Sequence, residues 1–176
     1  SYGTHIVAGV TPGKGGGEVE GVPVFDTVRE AWEQVGPIDA SVLFIPAPLV
    51  KSAALEAIAA GVKLLVIVPD RVPIYDVLEI ANEADRVGAR FVGPNTLGLM
   101  IPPMKLNAGF AHMAAEPGDI ALLSQSGALA TSLIDWAAGR GIGFSHIVSL
   151  GDMADVDVAD YIDMLAGDAG TRAIML

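Results

Sequence analysis

Gly118 to Arg140 reads GDIALLSQSGALATSLIDWAAGR, and the rest of the 176-residue chain can be placed around it. Ile120 to Leu123 is an unbroken apolar run, Ser124-Gln125-Ser126-Gly127 supplies small turn and capping residues, and Leu129, Leu133, Trp136 and Ala137 recur at helical spacing. This pattern predicts a buried strand that passes through a short turn into an apolar helix. The N-terminus of such a helix carries free backbone N–H groups and the positive end of the helix dipole, which suits a phosphate or carboxylate, with the Ser124 and Ser126 hydroxyls as further donors. Plain capping by serine accounts for the same residues without a ligand.

Outward from this unit, short β-branched runs alternate with longer Ala- and Leu-rich stretches, the signature of an α/β fold built on mostly parallel sheets. Before it, strands are expected over His5–Val10, Val22–Phe25, Ser41–Ile45, Val62–Val68 and Arg90–Val92. Helices are expected from Asp26 or Thr27 to about Val35, over Leu49–Ala60 with Gly61 as C-cap, and over Ile74–Val87 capped at Gly88. After it come a strand at Ser145–Leu150, a helix at Val156–Ala166 and a strand at Arg172–Leu176. The last runs into the chain terminus uncovered, which predicts that the natural sequence continues. From the turn Gly93–Gly98 to Pro117 the periodicity is lost and prolines stand at 94, 102, 103 and 117, so an inter-domain connection is expected there.

Composition narrows the function classes. A 52% hydrophobic content supplies a sizeable core, and the net charge of -11 with no basic run argues against nucleic acid or an anionic membrane as partner. There is no cysteine, which excludes disulfides and thiolate metal sites, and the histidines lie far apart in sequence. The apolar run Ala53–Val68 is interrupted by Glu56 and Lys63 and is too short for a bilayer span; a cytoplasmic location is the expectation. Asp152, Asp155, Asp157, Asp160 and Asp163 do not make a metal site on this reading: Asp155 and Asp157 read as helix caps, and Asp160 and Asp163 as a solvated face.

In an open parallel sheet, ligands bind beyond the carboxyl ends of the strands, where this chain carries Thr11–Gly17, Pro46-Ala47-Pro48 and Pro69-Asp70-Arg71. Lys14 sits among glycines that let backbone approach a phosphate while one ammonium neutralises it; a flexible loop with a solvated lysine is the other reading. The loop is neither a Walker motif nor a Gly-x-Gly-x-x-Gly fingerprint. Ser126, Asp135 and His146 follow in hydrolase order, but the nucleophile elbow needs glycine where Ser124 stands, and Asp135 would lie on the helix itself.

Several long motifs, taken in order, resemble the CoA-binding part of the NDP-forming acyl-CoA synthetases. Gly9–Gly16, Gly21–Phe25 and Pro46-Ala47-Pro48 are similar to the succinyl-CoA synthetase alpha subunit, and Gly93-Pro94-Asn95 is shared across the superfamily. Leu106-Asn107-Ala108, Ser124–Ala128, Asp135–Ala137, Gly141–Ser145, Ser149–Gly151 and Ala154–Asp157 are more similar to the acetate-CoA ligase branch. The resemblance implies a Rossmann-like CoA-binding domain over 1–95, a connection over 96–118, and the first part of a flavodoxin-like ligase domain over 119–176. It implies an acid–thiol ligase acting through a phosphohistidine, with CoA and a small carboxylic acid as substrates, and NTP with Mg2+ held by an ATP-grasp beta subunit or fused domain in an oligomer. By position, Pro12, Gly13 and Lys14 would meet CoA, with Lys14 at its phosphates. Pro46, Ala47, Pro48, Val68, Pro69, Asp70 and Asn95 would line its cleft, and Ser124, Gln125, Ser126 and Gly127 would open the helix facing the phosphohistidine. The resemblance also implies a first glycine loop before Ser1, and an active-site glutamate and the phosphohistidine after Leu176. None of His5, His112 and His146 holds the phosphohistidine position, so no catalytic residue is expected within the chain. A non-catalytic CoA or nucleotide module and, less favoured, a serine hydrolase are the alternatives. Thr96 stands where the succinate branch commonly has cysteine, which tilts the reading toward a small acyl group.

Overall fold

The structure is a computed structural model and describes residues 2–176. Its strands fall into three sheets. In the first, β1 (Gly9–Val10) pairs in parallel with β3 (Val22–Phe25), which also pairs antiparallel with β2 (Glu18–Val19). In the second, β4 (Ala40–Leu43), β5 (Leu64–Ile67) and β6 (Arg90–Val92) run parallel in that order. In the third, the order is β11 (Ala173–Met175), β9 (Pro117–Ser124), β10 (Phe144–Ser149), β7 (Gly98–Ile101), β8 (Leu106–Gly109). Helices α1 (Val28–Val35), α2 (Val50–Ala60), α3 (Ile74–Val87), α4 (Gly127–Ala138) and α5 (Val158–Ala166) alternate with these strands.

The expected helix ends follow local chemistry. Thr27 accepts from the Glu30 amide as N-cap of α1, and Gly61 and Gly88 close α2 and α3 in the left-handed conformation that glycine adopts without a Cβ penalty. Alternation along the strands then divides the side chains between cores. Leu65 and Ile67 pack with Ile58, Ile80 and Phe91 beneath the first-half helices, while Val66 and Val92 pack with Leu99, Leu123, Val148 and Leu150 of the second half. The face of the β4–β6 sheet away from its helices is therefore covered by the second half of the same chain. A third cluster, with Leu122, Ile134, Phe144 and Ile147, lies under α4.

Three expectations need correction. The stretch 96–118 is not a bare connection: β7 and β8 form an antiparallel hairpin through a 3-10 turn at Pro102–Met104, and β7 adds antiparallel to β10. Of the prolines that suggested a connection, Pro102 and Pro103 sit in that turn and Pro117 at the head of β9, where no ladder N–H is required of them. The strand expected over His5–Val10 is paired only at Gly9–Val10. Thr4 instead draws its segment to the hairpin, its hydroxyl accepting from the Asn107 amide at 2.8 Å. Asp155 caps no helix. Its carboxylate takes Arg90 at 2.9 and 3.1 Å and the Phe91 amide at 2.7 Å, so it ties β6 to the loop before α5. Asp157 is the cap, and Asp160 completes its capping box.

Candidate functional site

The end of β6 turns at Gly93–Gly98 against the end of β10. Gly151, at φ +62°, has its Cα side against the Pro94 and Asn95 carbonyls, where no side chain fits. Thr96 donates its hydroxyl to the Ser149 carbonyl and accepts from the Gly98 amide at 2.8 Å, and the Ser149 hydroxyl accepts from the Leu97 amide at 3.1 Å. Asn95, at φ +60°, donates to Asp152 at 3.1 Å. The bonds to Ser149 and Asp152 join residues more than fifty positions apart and fix the floor between the two halves of the chain.

Above this floor opens a cleft of about 590 Å3. Its walls are Val68, Pro69 and Asp70 from the end of β5, Asn95 to Leu97 from the turn, Phe110 after β8, and Gly127, Ala128 and Thr131 from the first turns of α4. Ser126 caps α4, its hydroxyl accepting from the Leu129 amide at 3.2 Å, and the Gly127 and Ala128 N–H groups are left as the free donors of the helix end. The helix end thus presents partial positive charge to a cleft whose one charged lining residue is acidic.

The structure gathers part of the expected site. Val68, Pro69, Asp70, Asn95 and Gly127 line the cleft; Ser124, Gln125 and Ser126 lie at the end of β9 beside it, Ser126 donating its amide to the Ser124 hydroxyl at 3.1 Å and Gln125 reaching the Gly151 carbonyl at 3.4 Å. Pro12, Gly13, Lys14, Pro46, Ala47 and Pro48 are not among its walls. Lys14 is exposed, but its loop is not loose. The Thr11 and Gly16 amides donate to the Phe25 and Val24 carbonyls at 2.9 Å, and Gly15 donates to the Asp26 carboxylate at 2.8 Å. A Cβ at Gly15 would fall 2.7 Å from that carboxylate, which explains one of the loop glycines. Pro46 to Pro48 begin the 3-10 turn that leads into α2.

Thr96, Leu97, Phe110, Ala128 and Thr131 were not expected in the site. Thr96 and Leu97 continue a turn that the prolines marked, so their neighbourhood was legible; nothing marked Phe110. The hydrolase reading gains nothing from the geometry. Asp135 pairs with His112 at 3.3 Å, and His146 lies within β10, its Nδ1 facing Asp168 at 3.7 Å. Burial pushes the His146 imidazole below the usual histidine range, against the opposing pull of Asp168. Hydrogen bonds from Thr171 and the Gly170 amide hold the Asp168 carboxyl below its own. Among the described residues no group of acidic and histidine side chains is arranged to hold a metal ion, and no helix is long and apolar enough to cross a membrane.

Residues 1–71 match the CoA binding domain family, and residues 117–176 match the succinyl-CoA ligase like flavodoxin domain family. The chain therefore carries a CoA binding domain followed by a succinyl-CoA ligase like flavodoxin domain. Relatives agree along its whole length. It is 37% identical over 179 residues to the alpha subunit 2 of an ADP-forming succinate–CoA ligase from Archaeoglobus fulgidus, covering 100% of this chain and 62% of the relative. With the corresponding alpha subunit from Methanothermobacter thermautotrophicus it shares 38% over 178 residues, 99% of this chain and 60% of the relative. Among solved structures, a dinucleotide forming acetyl-coenzyme A synthetase 1 from Ca. Korarchaeum cryptofilum superposes with a TM-score of 0.87 at 30% identity, over 99% of this chain and 38% of that one. The chain thus spans about three fifths of the curated relatives it matches.

Proposed function

We propose that these residues are the CoA-holding portion of an acid–thiol ligase that joins a carboxylic acid to CoA at the expense of an NTP, releasing NDP and phosphate. The observation that carries the reading is the cleft itself. It lies beyond the carboxyl ends of β5 and β6, where open parallel sheets take their ligands, and the free N–H groups of α4 face it. On this reading the uncharged arm of CoA lies along Val68 to Asp70 and Asn95, and Pro46 to Pro48 flank its path. The Lys14 ammonium, with Pro12 and Gly13 beside it, meets the CoA phosphates. Ser124 to Gly127 open the helix that steadies a phosphorylated histidine contributed from outside these residues. The nucleotide and its Mg2+ belong to an ATP-grasp partner, subunit or fused domain, in a cytoplasmic oligomer.

Titration calorimetry of CoA and dephospho-CoA into the full-length protein and its Lys14→Ala variant tests this. Removing one partly exposed charge contact is expected to weaken CoA binding about 10-fold, and the loss should shrink as salt is raised. A loss for CoA that exceeds the loss for dephospho-CoA places the ammonium at the 3′-phosphate; equal losses place it at the pyrophosphate. No loss with either ligand refutes the role of Lys14, and no binding by the wild-type protein refutes the CoA reading.

A further inference from the structure

The cleft wall facing α4 is built by two close backbone approaches. Gly98, at φ +100°, would set a Cβ 2.3 Å from the Ala108 carbonyl, and a Cβ on Gly109 would fall 2.3 Å from the Leu97 carbonyl. Glycine at both positions lets the root of the β7–β8 hairpin close, and the Phe110 amide then donates to the Leu97 carbonyl at 3.2 Å. Leu97 and Phe110 are thereby delivered side by side to the cleft. Leu97 abuts the first residue of α4, its Cβ 3.1 Å from where one on Gly127 would stand. Phe110 crosses to Phe44, just beyond β4, in an edge-to-face pair with centroids 6.4 Å apart. Both residues remain 57% exposed, so the pair bridges the segments after β4 and β8 at the surface instead of filling a core.

The polar groups of the lining are largely spoken for. Asn95 is held by Asp152, Thr96 by the Ser149 carbonyl, and the Thr131 hydroxyl by the Gly127 carbonyl at 2.8 Å. Asp70 is the one charged lining residue, and the adjacent Arg71 is drawn back onto it at 3.3 Å with its side chain 90% exposed. On the ligase reading the free Gly127 and Ala128 amides of α4 are taken by the phosphorylated histidine, so a second carboxylate on the acid would enter against Asp70 and the Phe110 ring, with no lysine or arginine among the described lining residues to meet it. A hydrocarbon tail would instead lie on Leu97 and Phe110.

Resting on the ligase reading above, we propose that Phe110, steadied by Phe44, and Leu97 are specificity-determining residues that select a monocarboxylic acid with an uncharged tail over a dicarboxylic acid. The test is NTP-dependent thioester formation by the full-length protein, combined with its ATP-grasp subunit where that domain is not fused, with acetate, butyrate and succinate, followed by thioester yield and NDP release. The wild-type kcat/KM for butyrate is expected to exceed that for succinate by about 10-fold or more, and each tail methylene buried is worth up to about 4-fold. Phe110→Ala should collapse the butyrate-over-acetate ratio through KM, Phe110→Leu should restore most of it, and Phe110→Arg should raise succinate turnover relative to butyrate. Phe44→Ala should raise KM for butyrate more than KM for acetate. A wild-type preference for succinate, or ratios unmoved in Phe110→Ala and Phe110→Arg, overturns this proposal and leaves the ligase reading standing. CoA binding without thioester formation from any acid overturns the ligase reading and this proposal with it.

Discussion

Replacing Asp155 by alanine separates two kinds of electrostatic contribution in one residue. Its carboxylate accepts from the backbone amide of Phe91 at 2.7 Å, and Phe91 is fully buried. Without that acceptor the amide is stranded, a loss of about 1–3 kcal/mol. The same carboxylate holds Arg90, whose side chain is 48% exposed, so this ion pair contributes only about 0.2–1 kcal/mol. Asp155→Ala should therefore cost about 2–3 kcal/mol, most of it from the amide. Arg90→Ala should cost about 0.5 kcal/mol, because Asp155 keeps the amide and Asp160 keeps its place in the α5 capping box. Asp155→Asn, which retains an acceptor without the charge, should fall between them. Urea unfolding of the three variants, read at constant m, measures the ranking directly. If Arg90→Ala costs as much as Asp155→Ala, the energy lies in the ion pair and the reasoning fails.

Other outcomes follow from single contacts. Ser126→Ala removes the acceptor for the Leu129 amide and should cost about 1 kcal/mol in urea unfolding, with Ser126→Gly costing less. Gly143→Ala would push a Cβ to 2.1 Å from the Pro117 carbonyl and should destabilise by more than about 2 kcal/mol. Gly139→Ala, with φ -68° and open space around it, should be neutral or stabilising by up to about 1 kcal/mol, and thermal melts of the two distinguish steric approach from chain entropy. Because the fold lowers the His146 pKa, the unfolded chain takes up a proton near the ordinary histidine value that the folded chain refuses. Stability should fall as pH drops below about 6.5 and level off below the folded pKa. His146→Gln should flatten that limb of the urea-midpoint profile against pH, and an unchanged profile would assign the acid sensitivity to other groups. The Asp168 contribution, from a lowered carboxyl pKa, should disappear only at more acidic pH.

The residues that announce themselves locally were legible in the sequence. The span Ile74–Val87 is read in full because Pro73 precedes it and Gly88 closes it, and Thr27, Ser126 and Asp157 cap helices by side-chain chemistry confined to a few positions. The hairpin was hidden because Leu99, Met100 and Ile101 make too short a run between prolines, and their strand character depends on β10, nearly fifty residues away. Asp155 was misread for a related reason. It stands directly before Val156, where the sequence places the helix start, but its partners Arg90 and Phe91 are brought to it only by the tertiary fold. The anion-facing helix end of the candidate site was visible in Ser124–Gly127, whereas Phe110 acquires its place through Phe44 and the glycines at the hairpin root.

The cleft draws its walls from segments on both sides of the Gly93–Gly98 turn, and this gives any occupant a mechanical role. A bound molecule acts as a removable cross-link: the first half cannot open without losing it, and neither can the second. At a ligand concentration of 100 Kd the linkage adds about 2.7 kcal/mol to the native state. Because both halves line the same cleft, that energy is felt by both at once, and any unfolding steps that separate the halves should draw together as ligand is added. A calorimetric endotherm that sharpens with ligand, as well as moving to higher temperature, would be the signature of this coupling.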